Sequence, residues 1–338
     1  MSLATKYRPQ TFEDCCGQSS IIKILNQQLE TNNLKNSYLF CGPSGCGKTT
    51  IARIFSNKIN KGQGSPLEID GASNNGVDNI REIIQLAKER AIDSEYKIFI
   101  VDECHQLTLA AWSAFLKCIE ECPKYTIFMF CTTDPQKIPQ TIVNRCMRFN
   151  LTKINIQDII SRLKMICENE NFTNYEESCN YIAKLSQGGM RDAISYLEKA
   201  SDYSKELKIE NVLNALGNFS YEVMFDITYA LTDHQEQDMV NILNYLDSTG
   251  NDLKLFITIY LEFVLDLVKY SLFKDMNVVK IPDSLENELK YAVRFPNSVR
   301  MYEMLCDELL ELMYNLKNDS HALVTILVTF LRVSKDLC

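Results

Sequence analysis

The residues with the clearest chemical meaning form one run, Gly42-Pro43-Ser44-Gly45-Cys46-Gly47-Lys48-Thr49. It matches the pattern G-x-x-x-x-G-K-[ST] in full. Glycines at these places let backbone N–H groups turn inward around phosphate oxygens, and a helix N-terminus behind them adds a positive dipole. Lys48 is placed to reach the β- and γ-phosphates of a nucleotide, and the Thr49 hydroxyl to bind Mg²⁺. The context is the required one, because an apolar strand (Ser37–Cys41) precedes the run and a helical pattern (Thr49–Ile59) follows it.

A second element, Lys97-Ile98-Phe99-Ile100-Val101-Asp102-Glu103, is a buried strand that ends in two carboxylates. Beside a phosphate loop, Asp102 would sit next to Mg²⁺ and Glu103 would polarise the attacking water. That pairing implies hydrolysis and not nucleotide binding alone. A third strand, Thr126–Cys131, leads into Thr132, Thr133 and Asp134. A polar side chain at its tip could watch the γ-phosphate or hold the water. Arg145, in Val143-Asn144-Arg145-Cys146, and Arg191, in Gly188-Gly189-Met190-Arg191-Asp192, are the cations whose placement suits charge that accumulates on a γ-phosphate. His105 reads as a locally hydrogen-bonded side chain, and Trp112 as core.

These residues must be positioned by an α/β framework. Tyr38–Cys41, Leu67–Ile69, Ile98–Val101, Thr126–Cys131 and Met147–Leu151 are short apolar runs separated by helical patterns. They predict a parallel sheet covered by helices on both faces. After Leu151 the strand signals stop: Ile154–Asn171, Tyr175–Gln187 and Met190–Ser201 read as three short helices. Everything after Ser204 stays helical and turns acidic. The expected parts are therefore 1–151, 152–203 and 204–338, in line with a prior of roughly 150 residues per domain.

The composition, with 46% apolar and 23% charged residues, is that of a folded soluble protein. Net charge is −9 but unevenly placed. Residues 1–200 carry 23 Lys and Arg against 22 Asp and Glu, and residues 201–338 carry 12 against 22. Any phosphate-binding surface is expected in the first part. No charge-free apolar run reaches the roughly 18 residues a spanning helix needs. In Leu255 to Tyr270, Glu262, Asp266 and Lys269 mark the wet stripe of an amphipathic helix. With no export signal at the start, the expectation is an intracellular protein whose 13 cysteines are reduced, small apolar residues.

With those residues in place, the chain resembles the clamp loader motor subunits of the AAA+ ATPases, in particular the bacterial DNA polymerase III gamma/tau family. The resemblance runs from Leu3 to Ala200. It rests on Lys6-Tyr7-Arg8-Pro9-Gln10-Thr11-Phe12-Glu13-Asp14 with Gly17-Gln18, on Glu68-Ile69-Asp70-Gly71-Ala72-Ser73-Asn74-Asn75-Gly76-Val77, and on Thr132-Thr133-Asp134-Pro135-Gln136-Lys137-Ile138-Pro139. The resemblance implies an AAA+ P-loop domain, a small helical lid and an all-α collar. It implies that Arg8 and Pro9, with Ala4, line an adenine pocket, and that Gly42, Pro43, Ser44, Gly45, Cys46, Gly47, Lys48, Thr49 and Thr50 hold ATP and, through Thr49 and Asp102, Mg²⁺. Asp102 and Glu103 would be the Walker B pair, Thr133 sensor 1 and Arg191 sensor 2. Arg145 would be an arginine finger serving the ATP of a neighbouring subunit.

The sequence departs from the family pattern in three places. Asn144 stands where the finger usually follows Ser. Ile51 to Leu67 holds none of the four zinc-binding cysteines usual between the P-loop helix and the next strand. The chain also ends after the predicted collar, as a short form without the tau tail would. The implied machine opens a sliding clamp and places it on primer–template DNA at a cytoplasmic replication fork. Its other subunits would be copies of this chain, with or without stator and wrench subunits. Helices starting near Gly76 and Thr108 are the expected DNA contacts. The rival readings are another AAA+ DNA-remodelling ATPase, and a scaffold that binds nucleotide without hydrolysing it.

Overall fold

The computed structural model describes residues 2–217, 219–319 and 321–336. In chain order the first elements are α1 (Leu3–Lys6), α2 (Ser19–Glu30), β1 (Ser37–Cys41), α3 (Lys48–Ile59), β2 (Leu67–Asp70), α4 (Val77–Ala87), β3 (Lys97–Asp102), α5 (Leu109–Glu120), β4 (Thr126–Thr132), α6 (Gln140–Val143) and β5 (Met147–Asn150). The five strands form one parallel sheet in the order β2-β3-β4-β1-β5. All five coincide with the apolar runs read from the sequence.

The two faces of the sheet follow from the period-2 alternation of strand side chains. Tyr38, Phe40, Ile100, Met129 and Phe149 point to one side, where Ile51, Phe55 and Ile59 of α3 and Leu25 of α2 cover them. Leu39, Phe99, Val101, Phe128 and Phe130 point to the other side, against Ile80 and Ile83 of α4 and Trp112, Phe115 and Ile119 of α5. The spacing of these helical residues is that of a single apolar stripe. Aromatic rings set the packing: Phe128 stacks on Phe99 at 5.1 Å and meets Phe115 edge-on at 5.6 Å. A core buried on both faces fixes the register of β1, β3 and β4, and therefore fixes where the polar residues at their carboxyl ends stand.

Among the described residues ten α-helices follow: α7 (Ile156–Glu170), α8 (Glu176–Leu185), α9 (Met190–Tyr203), α10 (Ile209–Leu216), α11 (Tyr221–Thr232), α12 (Glu236–Ser248), α13 (Leu253–Phe273), α14 (Glu286–Ala292), α15 (Ser298–Asn315) and α16 (Ala322–Asp336). The chain divides into two compact units. One holds the residues up to Ile166 together with Ser186–Ser195, and the other holds Cys167–Leu185 together with the residues from Tyr196 onward. In the second unit α13 packs against α15. Phe256, Ile257, Tyr260, Val264 and Leu267 of α13 are buried there. Within this core the Tyr260 hydroxyl lies 2.9 Å from Thr228 Oγ1. Asp266, expected from the sequence on the wet stripe of α13, is buried instead; it pairs with Lys269 at 2.7 Å and accepts the Lys280 N–H at 2.6 Å.

Candidate functional site

The loop from β1 to α3 depends on backbone that other residues would not permit. A Cβ on Gly42 would stand 2.6 Å from the Leu151 carbonyl oxygen. Gly47, at φ +101°, turns the chain into α3 in a region that L side chains rarely adopt. The first-turn N–H groups of α3 are thereby left without intrahelical partners at the positive end of the helix, which is an anion site. Lys48 is only 6% exposed, and its ammonium donates to the carbonyls of Gly42 at 3.0 Å and Pro43 at 2.9 Å. The loop therefore closes around a buried positive charge.

The carboxyl end of β3 supplies the acidic side. Thr49 Oγ1 donates to Asp102 Oδ2 at 2.8 Å, and Asp102 Oδ1 accepts the Glu103 N–H at 3.0 Å. Two hard oxygen atoms, from Thr49 and Asp102, thus stand side by side. Among the described residues no group of three or more His, Cys, Asp or Glu side chains could hold a metal ion. A divalent ion between Thr49 and Asp102 would therefore complete its shell with phosphate oxygens and water, which is the habit of Mg²⁺. Glu103 sits in the left-handed region at φ 43°, ψ 40°. Its Oε2 accepts from Thr133 Oγ1 at 3.1 Å and lies 3.2 Å from His105 Nδ1. Thr133 follows β4, which is hydrogen-bonded to β1 with Thr132 opposite Cys41.

A pocket joins these groups. Ala4, Arg8 and Pro9 line one side and Ser44 through Thr50 the floor; Asp102, Glu103 and Arg191 complete the set of expected residues that reach it. Gly42 and Pro43 act one step back, as acceptors for Lys48. Thr133 acts one step back through Glu103. The start of α9 is tied to the loop, because the Met190 N–H donates to the Gly45 carbonyl at 3.1 Å.

Arg145 is not in this pocket. It lies between α6 and β5, where it donates to the Thr141 carbonyl at 2.8 Å and pairs with Glu120 at 2.5 Å. β5 runs parallel to β1. Arg145 thus enters the sheet at the end opposite the phosphate loop, separated from it by a strand length of about 13 Å.

Sequence reasoning missed several wall residues. Tyr7, Ile154, Arg162, Met190 and Ile194 also line the pocket. Arg162 of α7 donates to the Tyr7 carbonyl at 2.7 Å. Gln18 grips the backbone of Thr152, donating to its carbonyl at 2.7 Å and accepting its N–H at 3.3 Å. Tyr7 and Gln18 stood within the opening motif and Met190 beside Arg191, but none of the three was singled out as a wall residue. Cys15 and Cys16 line the pocket too. Burial pushes the Cys15 thiol up to about 11 and raises those of Cys16 and Cys46, so these sulfurs stay protonated and unreactive at neutral pH.

Comparison with known proteins places this geometry. Residues 67–155 match the family model described as DNA polymerase III, delta subunit, and residues 2–88 match the Rad17 P-loop domain. The gamma subunit of DNA polymerase III from Buchnera aphidicola subsp. Schizaphis graminum is 30% identical over 86% of this chain and 89% of its own length. The chain belongs to the DNA polymerase III gamma/tau family. The tau subunit of Bacillus subtilis is 36% identical over 93% of this chain. The chain spans about half the length of that relative and of the Mycoplasma genitalium gamma/tau subunit. Among solved structures, the Thermotoga maritima RuvB Holliday junction branch migration motor superposes with a TM-score of 0.53 at 18% identity, over 73% of this chain and 86% of that one. At that identity the likeness is one of fold, an AAA+ P-loop domain with helices after it. No helix among the described residues is long and apolar enough to cross a membrane.

Proposed function

We propose that the chain is an ATP-driven motor subunit of a DNA replication clamp loader. The observation that carries this is the Thr49–Asp102 contact at 2.8 Å, with Glu103 beside it, in a chain of the gamma/tau family. The loop N–H groups and Lys48 would bind the phosphates of ATP, and Arg8, Pro9 and Ala4 its base. Thr49 and Asp102 would hold Mg²⁺, which supplies positive charge to the phosphate oxygens. Glu103 would take the proton of the attacking water, with Thr133 fixing its carboxylate, and Arg191 would meet charge that develops on the γ-phosphate.

Arg145 stands away from its own pocket and would complete the site of a neighbouring subunit. Hydrolysis then requires subunits side by side, and ATP binding becomes a signal for assembly. The working parts would be an AAA+ domain at 1–151, a lid at 152–203 and a collar at 204–338. The partners would be a sliding clamp, further loader subunits of the same or another chain, and primer–template DNA at a cytoplasmic replication fork. The RuvB-like fold favours a second reading, another AAA+ DNA-remodelling motor. Steady-state ATP hydrolysis by the native assembly separates the two. A loader is stimulated by clamp together with primed DNA. A remodelling motor responds to branched or duplex DNA and ignores the clamp.

A further inference from the structure

We propose that His105 is a positioning residue for Glu103, holding one carboxylate oxygen so that the other is aimed at the attacking water. The assignment rests on the reading of the site as an ATP hydrolase, and assigns a residue that the phosphate loop and the paired carboxylates leave without a role. Glu103 Oε2 has two neighbours able to donate, Thr133 Oγ1 at 3.1 Å and His105 Nδ1 at 3.2 Å. The imidazole is mostly buried, with 13% of its side chain exposed. Its Nδ1 also lies 3.3 Å from Thr132 Oγ1, a hydroxyl that itself accepts the Asp134 N–H at 3.0 Å.

The tautomer follows from the charges. An ionised carboxylate offers only lone pairs. An unprotonated Nδ1 facing Oε2 at this distance would set lone pair against lone pair. The assignment accordingly puts the proton on Nδ1, facing Glu103.

Three constraints then fix the Glu103 side chain. Its backbone is held in the left-handed region, its N–H is donated to Asp102 Oδ1, and its Oε2 is occupied by two donors. Oε1 is left as the basic oxygen. A base held this way has little freedom to turn from the water, and misplacement by an ångström can cost on the order of a hundredfold in rate. Thr133 alone would leave the carboxylate able to pivot about a single hydrogen bond.

The test uses the native ATPase assembly. His105→Ala is expected to lower kcat about tenfold or more, within the range general-base catalysis contributes, while KM and nucleotide affinity stay within about twofold. His105→Asn, whose amide nitrogen can occupy the Nδ1 position, should recover most of the loss. His105→Gln, which reaches the Nε2 position, should not. A kcat for His105→Ala within about twofold of wild type overturns the assignment, as does an Asn variant no better than alanine. The ¹⁵N spectrum of the ring in the unaltered protein gives an answer that needs no variant to fold: a proton on Nδ1 is expected, and a proton on Nε2 alone overturns the proposal. If the wild-type assembly binds ATP and never turns it over, the hydrolase reading falls and this assignment with it. If wild type turns over and His105→Ala matches it, only the assignment falls.

Discussion

Replacing Arg145 by alanine should leave every subunit able to bind ATP and nearly unable to hydrolyse it. The side chain touches Glu120 and the Thr141 carbonyl, not the pocket, so nucleotide affinity should not move. Both partners of the ion pair are substantially exposed, at 39% and 44%. Its loss should cost the fold only about 0–1 kcal/mol. An arginine supplied in trans to a phosphoryl transfer contributes about a thousandfold or more, roughly 4 kcal/mol. A loss of that size with an unchanged melting temperature cannot be a folding defect.

The decisive assay is a mixture. Lys48→Ala subunits lack a working pocket but keep Arg145, and Arg145→Ala subunits lack the finger but keep the pocket. Each alone should be inactive. In an assembly built of copies of this chain with head-to-tail interfaces, equal mixing should restore about a quarter of the sites, those where an intact pocket meets an intact finger. A mixture that co-assembles and is yet as inactive as its components refutes supply in trans, and full activity of Arg145→Ala alone refutes the finger itself.

The remaining predictions concern the pocket and the core. Gly42→Ala should lower both nucleotide affinity and melting temperature, because the new methyl would meet the Leu151 carbonyl oxygen at 2.6 Å; calorimetry with and without ATP checks it. Asp102→Asn should weaken the Mg²⁺ dependence of ATP binding while leaving the apo melting temperature within a few degrees, as measured by a magnesium titration of nucleotide affinity. Phe128→Ala removes a fully buried ring that packs on Phe99 and Phe115, and should destabilise the sheet by about 3–5 kcal/mol in urea unfolding. Burial pushes the Cys122 and Cys146 thiols up to about 12, so the folded chain keeps protons that the unfolded chain releases from the ordinary thiol range upward. Their contribution is whole below about pH 8.5 and is lost as pH rises toward 12, so the melting temperature should fall across that window, and less in a Cys122→Ala, Cys146→Ala variant.

What the sequence made legible was local. The central strands β1, β3 and β4 announced themselves as apolar runs because they are buried on both faces. The edge strands β2 and β5 showed as short runs although most of their residues are not buried. Lys48, Thr49, Asp102 and Glu103 were readable because they sit at fixed offsets from strand ends. The strand order β2-β3-β4-β1-β5 was not readable, since periodicity says which face a residue takes and nothing about which strand lies beside it. The same limit hid the far wall of the pocket. Arg162 meets Tyr7 across 155 positions of sequence, and Gln18 meets Thr152 across 134. Nothing in the helical patterns that carry Arg162, Met190 or Ile194 distinguishes them from residues that face solvent or core. Glu103 was expected to work on water, but its left-handed backbone and its bond to Thr133 appear only once β3 and β4 share a sheet. His105 read as locally satisfied; the structure sets its Nδ1 beside the Glu103 carboxylate and the Thr132 hydroxyl.

The most direct test of the central claim is recovery of partners from the native source, with the tagged chain as bait and a slowly hydrolysed ATP analogue present or absent. The account predicts a ring-shaped sliding clamp among the partners, identified by mass, held with the analogue and lost without it or in a Lys48→Ala bait. A homo-oligomer recovered with junction-processing proteins and no clamp would contradict it.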